Sequence, residues 1–310
     1  MAGELLSTKL HMPRLRRSVL PRPRLVERLS NAGESALTLV SASAGFGKTT
    51  LLTEWLSDAP EDRSVAWLSL DSRDSDPATF WAYVVAALQT AAPGVGESAR
   101  ALLQAQASME AVVGSLINDL HGVPNDIVLV LDDYHLIGEL AVHEGMGFLL
   151  EHLPRQVHLV IASRADPALP LARLRSRGEL VEVRAADLRF TPDEAAAYLN
   201  GAMGLTLTAA DVAALEGRTE GWIAALQLAA LSMQGRDDVA GFITSFAGDD
   251  RFIVDYLIEE VLHRQTEDVR TFLLHTSILN GLSGALCDAV TARQGGKAML
   301  EALDRANLFL

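Results

Sequence analysis

A single cysteine, Cys287, stands in 310 residues, so no internal disulfide can form, and its apolar neighbours give it no reactive setting. So little cysteine fits a reducing compartment, and a cytoplasmic location is expected. The amino terminus lacks the apolar run that a secretory signal requires. Residues 77–96 are uncharged throughout, yet they include Thr79, Gln89, Thr90 and the helix-breaking Pro93. They read as a buried helix, not a membrane span. Positive charge is also scarce, with 26 Lys and Arg against 40 Asp and Glu and a net charge of −14. Extended nucleic-acid surfaces neutralise phosphates with Lys and Arg, so this balance argues against one. His121, His135, His143 and His152 lack metal-ligand spacing and no cysteine pair accompanies them. Nothing resembles a serine or cysteine nucleophile constellation. Trp55, Trp67, Trp81 and Trp222 fall on predicted elements and read as core, not as a base-stacking platform.

What the chain does have is apolar substance. It is 49% hydrophobic, has a mean hydropathy of +0.18, and is long enough for two or three domains.

Residues 36–52, ALTLVSASAGFGKTTLL, run from a β-branched apolar strand through a glycine-bearing loop into a helical pattern. A phosphate-binding loop needs small residues so that backbone N–H groups can converge on a phosphate, a lysine to neutralise it, and a hydroxyl to reach Mg²⁺. Gly45 and Gly47 supply the first, Lys48 the second and Thr49 the third. Ala42 stands where the spacing asks for a first glycine, a change that costs little unless the position needs a positive φ.

Residues 127–135, IVLVLDDYH, form a second apolar strand ending in two carboxylates. Such a strand is expected beside the loop strand in a parallel sheet. In P-loop NTPases the strand-end Asp holds Mg²⁺, a role that falls to Asp132. Asp133 is then placed to orient or deprotonate an attacking water.

Strands and helices alternate over residues 36–184, which means a parallel sheet covered on both faces. The pattern predicts strands at 64–70, 127–132, 158–163 and 180–184, and helices at 78–92, 99–120 and 142–153. Asp76 and Pro77 read as N-cap and first helical residue. Asp71 and Asp74 precede them, and capping is favoured over Mg²⁺ contact for this acidic loop. The strand at 158–163 ends in Ser163 and Arg164 and points its carboxyl end towards a ligand site. Arg164 is the candidate sensor of a γ-phosphate, with a surface ion pair as the alternative.

From Thr191, Pro192 and Glu194, a clean helix start, the pattern turns all-helical. Helices are predicted at 193–200, 208–216, 222–232 and 239–246, then at 253–264, 269–277 and 297–306. The closing Leu308, Phe309 and Leu310 read as the start of a strand, and so as a piece of a longer protein. The first 30 residues reverse the overall charge, with Lys9, Arg14, Arg16, Arg17, Arg22, Arg24 and Arg28 against Glu4 and Glu27. This segment is either an arm that folds over nucleotide or packs on an acidic neighbour, or a solvated surface stretch.

The opening TKLHMPRLRRSVLPRPRLVERL, the loop SASAGFGKTTLL, the strand IVLVLDDYHLI, the stretch IASRADPALPLARLRSRGELVEVRAADLRFTPDEAAAYL, and TEGWIAALQLAAL, DYLIEEVL and FLLHTSILNGLSGALCDAV together resemble the amino-terminal part of large ATP-binding LuxR-type transcriptional activators. This is the group of the maltose-regulon activator, within the STAND class of P-loop ATPases. The resemblance covers nearly the whole chain. It implies a basic arm bordering the nucleotide (1–34), an α/β P-loop NTPase domain (35–188), a helical domain (189–249) and a winged-helix domain (250–310) that is incomplete in this chain.

By resemblance, Gly45, Phe46, Gly47, Lys48, Thr49 and Thr50 hold ATP or ADP, and Thr49 and Asp132 hold Mg²⁺. Asp133, Lys48 and Arg164 are the catalytic residues, Asp133 from the acidic strand end, Lys48 on the phosphates and Arg164 as sensor, and Val19, Leu20 and Arg22 border the adenine. Related ATPases place a Gly-x-Pro element near the base, where this chain has Gly221, Trp222 and Ile223. The family's behaviour implies a slow, inducer-controlled ATPase switch that self-associates with ATP. Inducer and promoter DNA would be met by regions absent from this chain. The competing readings are a P-loop kinase or motor ATPase with a separate substrate, and a scaffold that binds nucleotide without hydrolysing it.

Overall fold

The computed structural model describes residues 5–15, 19–31, 35–57, 63–235, 238–246, 251–279 and 281–308. Its contacts fall into two compact units, Met1–Ser41 with Lys48–Asp187, and Ala42–Gly47 with Leu188–Leu310.

The first unit is built on five strands, β1 (Leu37–Ser41), β2 (Arg63–Ser69), β3 (Asp126–Asp132), β4 (Val157–Ser163) and β5 (Leu180–Arg184), paired in the order β2-β3-β4-β1-β5. Every pairing is parallel. The inner strands β1, β3 and β4 are mostly apolar and, apart from Asp126 and His158, buried on both faces, as helix-covered parallel strands must be. Their helices are α1 (Pro23–Ser30), α2 (Lys48–Ser57), α3 (Pro77–Ala91), α4 (Glu97–Gln104), α5 (Met109–His121), α6 (Leu140–Glu151), α7 (Leu171–Arg177) and α8 (Ala185–Leu188). Phe80 and Trp81 of α3 are fully buried in the core, as is Tyr134.

Two expectations need correction. The Asp-Asp strand does not lie beside the loop strand, because β4 is inserted between them, pairing Ile161 with Leu39 on one side and Leu131 on the other. The single helix expected over 99–120 is two helices. Gln106 turns left-handed at φ 54°, and the Ser108 hydroxyl then caps α5 by accepting from the Ala111 N–H. Asp76 caps α3 as expected, accepting from the Thr79 N–H at 2.9 Å.

The basic amino-terminal stretch packs on acidic neighbours. Lys9 reaches Asp74 at 2.6 Å and Asp71 at 2.8 Å, above the Tyr83 ring. Asp71 and Asp74 also form a reciprocal capping box, so the acidic loop is occupied by Lys9 and by its own turn. Arg24 donates to the Asp187 carbonyl, and Arg28 to the Asp187 carboxylate and the Glu182 carbonyl. Arg16 and Arg17 lie outside the described residues.

The second unit is helical: α9 (Pro192–Ala196) running into a π turn (Ala197–Ala202), α10 (Ala209–Thr219), α11 (Ile223–Met233), α12 (Val239–Ser245), α13 (Arg251–Glu260), α14 (Glu267–Thr276), α15 (Gly284–Thr291) and α16 (Gly296–Arg305). Thr191 with Glu194, and Thr208 with Asp211, form the reciprocal capping boxes that start α9 and α10. Arg218 donates to the carbonyls of Ile243, Thr244 and Phe246, satisfying the end of α12. Helix α15 was not expected from the sequence, although Ser283 caps it. Its Cys287 is fully buried with Phe272 and Leu303 in a small core. The strand expected at the closing apolar residues is not seen among the described residues, and Phe309 and Leu310 lie outside them. No helix among the described residues is long and apolar enough to cross a membrane.

Candidate functional site

In parallel α/β sheets ligands gather outside the carboxyl ends of the strands, and there β1 ends in Ser41, β4 in Ser163 and β3 in Asp132. Lys48 and Thr49 open α2. The Thr49 hydroxyl donates to the Asp132 carboxylate, at 2.9 Å to Oδ2 and 3.2 Å to Oδ1. Lys48 is buried, and that burial, with the Arg164 charge nearby, lowers its pKa to about 8 against the opposing pull of Asp133 and Asp132. Burial raises Asp132 to about 6, and repulsion from Asp133 adds to it, while the Thr49 hydrogen bond works the other way. The site therefore holds a desolvated cation next to a desolvated carboxylate, each of which an anion and a divalent cation respectively would relieve.

Asp133 takes a left-handed conformation, φ 59° and ψ 35°, which separates its half-exposed side chain from the buried Asp132. The next residue anchors this turn: the Tyr134 hydroxyl is 2.9 Å from His143 Nδ1, and its ring packs edge-on to Phe80. Arg164 is half-buried just beyond β4, close enough for its charge to bear on Lys48. The loop that carries it is pinned by Asp166, which accepts from the Ser41 hydroxyl and from Arg184, both at 3.1 Å. Asp166 and Ser41 had no sequence signal beyond lying at strand ends. Arg22 is buried and its N–H donates to Glu54 of α2 at 2.8 Å, whereas Val19 and Leu20 are half-buried and Thr50 is exposed.

In the second unit, Gly45 and Gly47 both have φ of +75°, the left-handed region that favours glycine. Ala42 is fully buried and is not among the positive-φ residues, so alanine fits where the motif asks for glycine. The Trp222 indole N–H donates to the Ala44 carbonyl at 3.1 Å, and the Ala224 N–H donates to the Gly45 carbonyl at 3.2 Å. Phe46 is buried with its ring 6.5 Å from that of Trp222, which itself packs edge-on to Tyr256. All four tryptophans are buried as expected. Trp222 has a polar task besides, one that a separation of 178 residues hides from the sequence.

Thr49 and Asp132 offer two hard oxygen donors, the kind Mg²⁺ takes when nucleotide oxygens and water complete its shell. Among the described residues no cluster of three His, Cys, Asp or Glu could hold a metal by itself.

Residues 258–310 match the family model of the MalT winged helix domain. The chain is 37% identical over 311 residues to the HTH-type transcriptional regulator MalT of Yersinia enterocolitica, covering 99% of this chain and 34% of that protein. It is 36% identical over 296 residues to the serine/threonine-protein kinase PknK of Mycobacterium tuberculosis, covering 94% of this chain and 27% of that protein. The chain thus spans about a third of the length of these curated relatives, or less. Among solved structures it is similar to a Walker-type ATPase of Pyrococcus abyssi, with a TM-score of 0.60 and 15% identity, over 95% of this chain and 92% of that one. That likeness gives the fold, a P-loop ATPase fold.

Proposed function

As this chain is homologous over nearly its whole length to about a third of the MalT-type transcriptional regulators, and carries a MalT winged helix segment, we propose that it is the ATP/ADP-binding switch module of a cytoplasmic regulator of the STAND class. The observation that carries the reading is the Thr49–Asp132 hydrogen bond beside the buried Lys48. A hydroxyl, a carboxylate and an ammonium are brought together from two sequence segments, the set a nucleotide with Mg²⁺ requires.

Lys48 neutralises phosphate oxygens, and the loop N–H groups from Gly45 to Thr50 orient them. Thr49 and Asp132 would hold Mg²⁺, which would supply neutralisation of phosphate charge. Asp133, turned out of the sheet, accepts a proton from or orients the attacking water, and Arg164 meets the γ-phosphate. Val19, Leu20 and Arg22 border the base.

A segment common to a protein named a serine/threonine-protein kinase and one named an HTH-type transcriptional regulator is unsuited to be the output of either. A shared switch accounts for the overlap. Moving such a switch from mostly closed to mostly open takes about 5.5 kcal/mol of differential binding. Contacts to a γ-phosphate supply part, and an inducer read elsewhere in the protein supplies the rest, leading to self-association and promoter binding through other regions.

The test is ATP turnover by the purified chain. Hydrolysis well below roughly 1 s⁻¹, the low end for ordinary enzymes, and indifferent to added phosphoryl acceptors, is expected. Rapid turnover that depends on an acceptor would replace the switch with a phosphotransferase.

A further inference from the structure

The phosphate loop of this chain is held by the start of α11. Trp222 Nε1–H donates to the Ala44 carbonyl at 3.1 Å, and the Ala224 N–H donates to the Gly45 carbonyl at 3.2 Å. The contact is tight. A Cβ on Gly45 would come within 2.5 Å of the Ala224 Cβ, 2.8 Å of the Tyr256 hydroxyl and 3.0 Å of Trp222 Nε1. Helix α11 has no side-chain N-cap bond, so the Gly45 carbonyl serves instead, satisfying one of the orphan N–H groups of its first turn.

Two peptide planes are therefore fixed. In a planar trans peptide the C=O and the following N–H point in opposite directions. Tying the Ala44 carbonyl to Trp222 turns the Gly45 N–H away from the indole, and tying the Gly45 carbonyl to Ala224 turns the Phe46 N–H away from α11. A phosphate-binding loop works by presenting such N–H groups together, and disordering them costs binding entropy.

We propose that Trp222 is a positioning residue for phosphate binding: its indole N–H pre-sets the orientation of the loop amides that meet the phosphates. The inference rests on the nucleotide-binding reading above. It gives the tryptophan of the Gly221-Trp222-Ile223 element a role towards the phosphate loop. The aromatic neighbours Phe46 and Tyr256 hold the indole at the angle that this hydrogen bond needs.

The test replaces Trp222 by benzothienylalanine, which keeps the bicyclic shape and exchanges the N–H for sulfur, with Trp222→Phe as a second variant. Mg-ADP binding to the folded chain is measured by titration calorimetry well below the melting temperature. Hydrogen exchange across residues 42–50 is followed with and without Mg-ADP. The expected result is an ADP dissociation constant raised by about threefold to tenfold, the span of one neutral hydrogen bond, together with weaker ADP-induced protection of the loop amides. A merely structural role would lower the melting temperature of the nucleotide-free chain and leave the ADP dissociation constant unchanged, which would overturn the inference while sparing the nucleotide reading. If Trp222→Phe fails to fold, the isosteric analogue decides. A parent chain that takes up no ADP would overturn the nucleotide reading, and this inference with it.

Discussion

The hydroxyl of Thr49 and the carboxylate of Asp132, 83 residues apart in the chain, lie 2.9 Å apart at the carboxyl end of the sheet. Asp132 is almost wholly buried there, and its pKa is raised to about 6. A carboxyl whose folded pKa lies above its unfolded value binds more protons in the native state, so stability falls as pH rises through that interval. The nucleotide-free chain should lose up to about 3 kcal/mol between roughly pH 4 and pH 6 through this group. Asp132→Asn should remove that loss, making the free chain more stable at pH 7.5 while abolishing its stabilisation by Mg-nucleotide. Lys48, lowered to about 8, carries the opposite sign: its penalty stands in full below about pH 8 and is relieved as pH rises towards its ordinary value. Mg-ADP affinity should accordingly be greatest between about pH 6 and pH 8, since it needs Asp132 ionised and Lys48 protonated. Urea melts and calorimetry across pH check both.

The loop glycines are expected to differ. Both have φ of +75°, and an alanine there costs roughly 1–2 kcal/mol in backbone strain. A Cβ at Gly47 would find only Ile223 Cγ2 at 3.9 Å, whereas one at Gly45 would meet Ala224 at 2.5 Å. Gly47→Ala should therefore cost the backbone term alone. Gly45→Ala should cost about 2–5 kcal/mol, visible as the larger fall in melting temperature.

Lys9 is the partner of a nearly inaccessible carboxylate, its own side chain 12% exposed against 2% for Asp74. Lys9→Ala leaves that charge uncompensated and should destabilise the chain by about 3 kcal/mol in urea denaturation. Asp71, held down to about 2 first by its Lys9 hydrogen bond, contributes stability that is present above about pH 4 and lost as pH falls through 2. The variant should show a smaller acid-side loss, with the Arg73 hydrogen bonds to Asp71 remaining.

Arg164→Ala should leave ADP affinity intact and remove any preference for ATP, and with it ATP-driven assembly of the longer protein. Because the Arg164 charge helps to lower Lys48, the alkaline limb of Mg-ADP binding should also move to higher pH. Unchanged ATP preference would return Arg164 to the surface ion pair that was its alternative.

Much of this was legible in the sequence because the signals are local. A β-branched run before a glycine loop, two carboxylates after an apolar strand, and Thr191 or Thr208 three residues before an acid each specify their own backbone. Strand order is different. Nothing in residues 127–132 says that β4 rather than β1 will pair with them, since all the inner strands are apolar on both faces and fit either neighbour. The break at Gln106 is hidden in the sequence because alanine and leucine on either side keep the helical period going, although Ser108 is a ready cap. Trp222 was legible as a buried aromatic, but its hydrogen bond to Ala44 joins residues 178 apart. Asp166 likewise shows its role only once β1, β4 and β5 have brought Ser41 and Arg184 to it.

The most direct measurement is of the nucleotide that the chain carries. The purified protein is denatured and the released nucleotide identified by ion-exchange chromatography, with Lys48→Ala treated in parallel. Near-stoichiometric ADP from the parent and little from the variant is the expected result for a switch clasped at rest. A parent that releases no nucleotide, and takes up none when Mg-ADP is supplied, would contradict it.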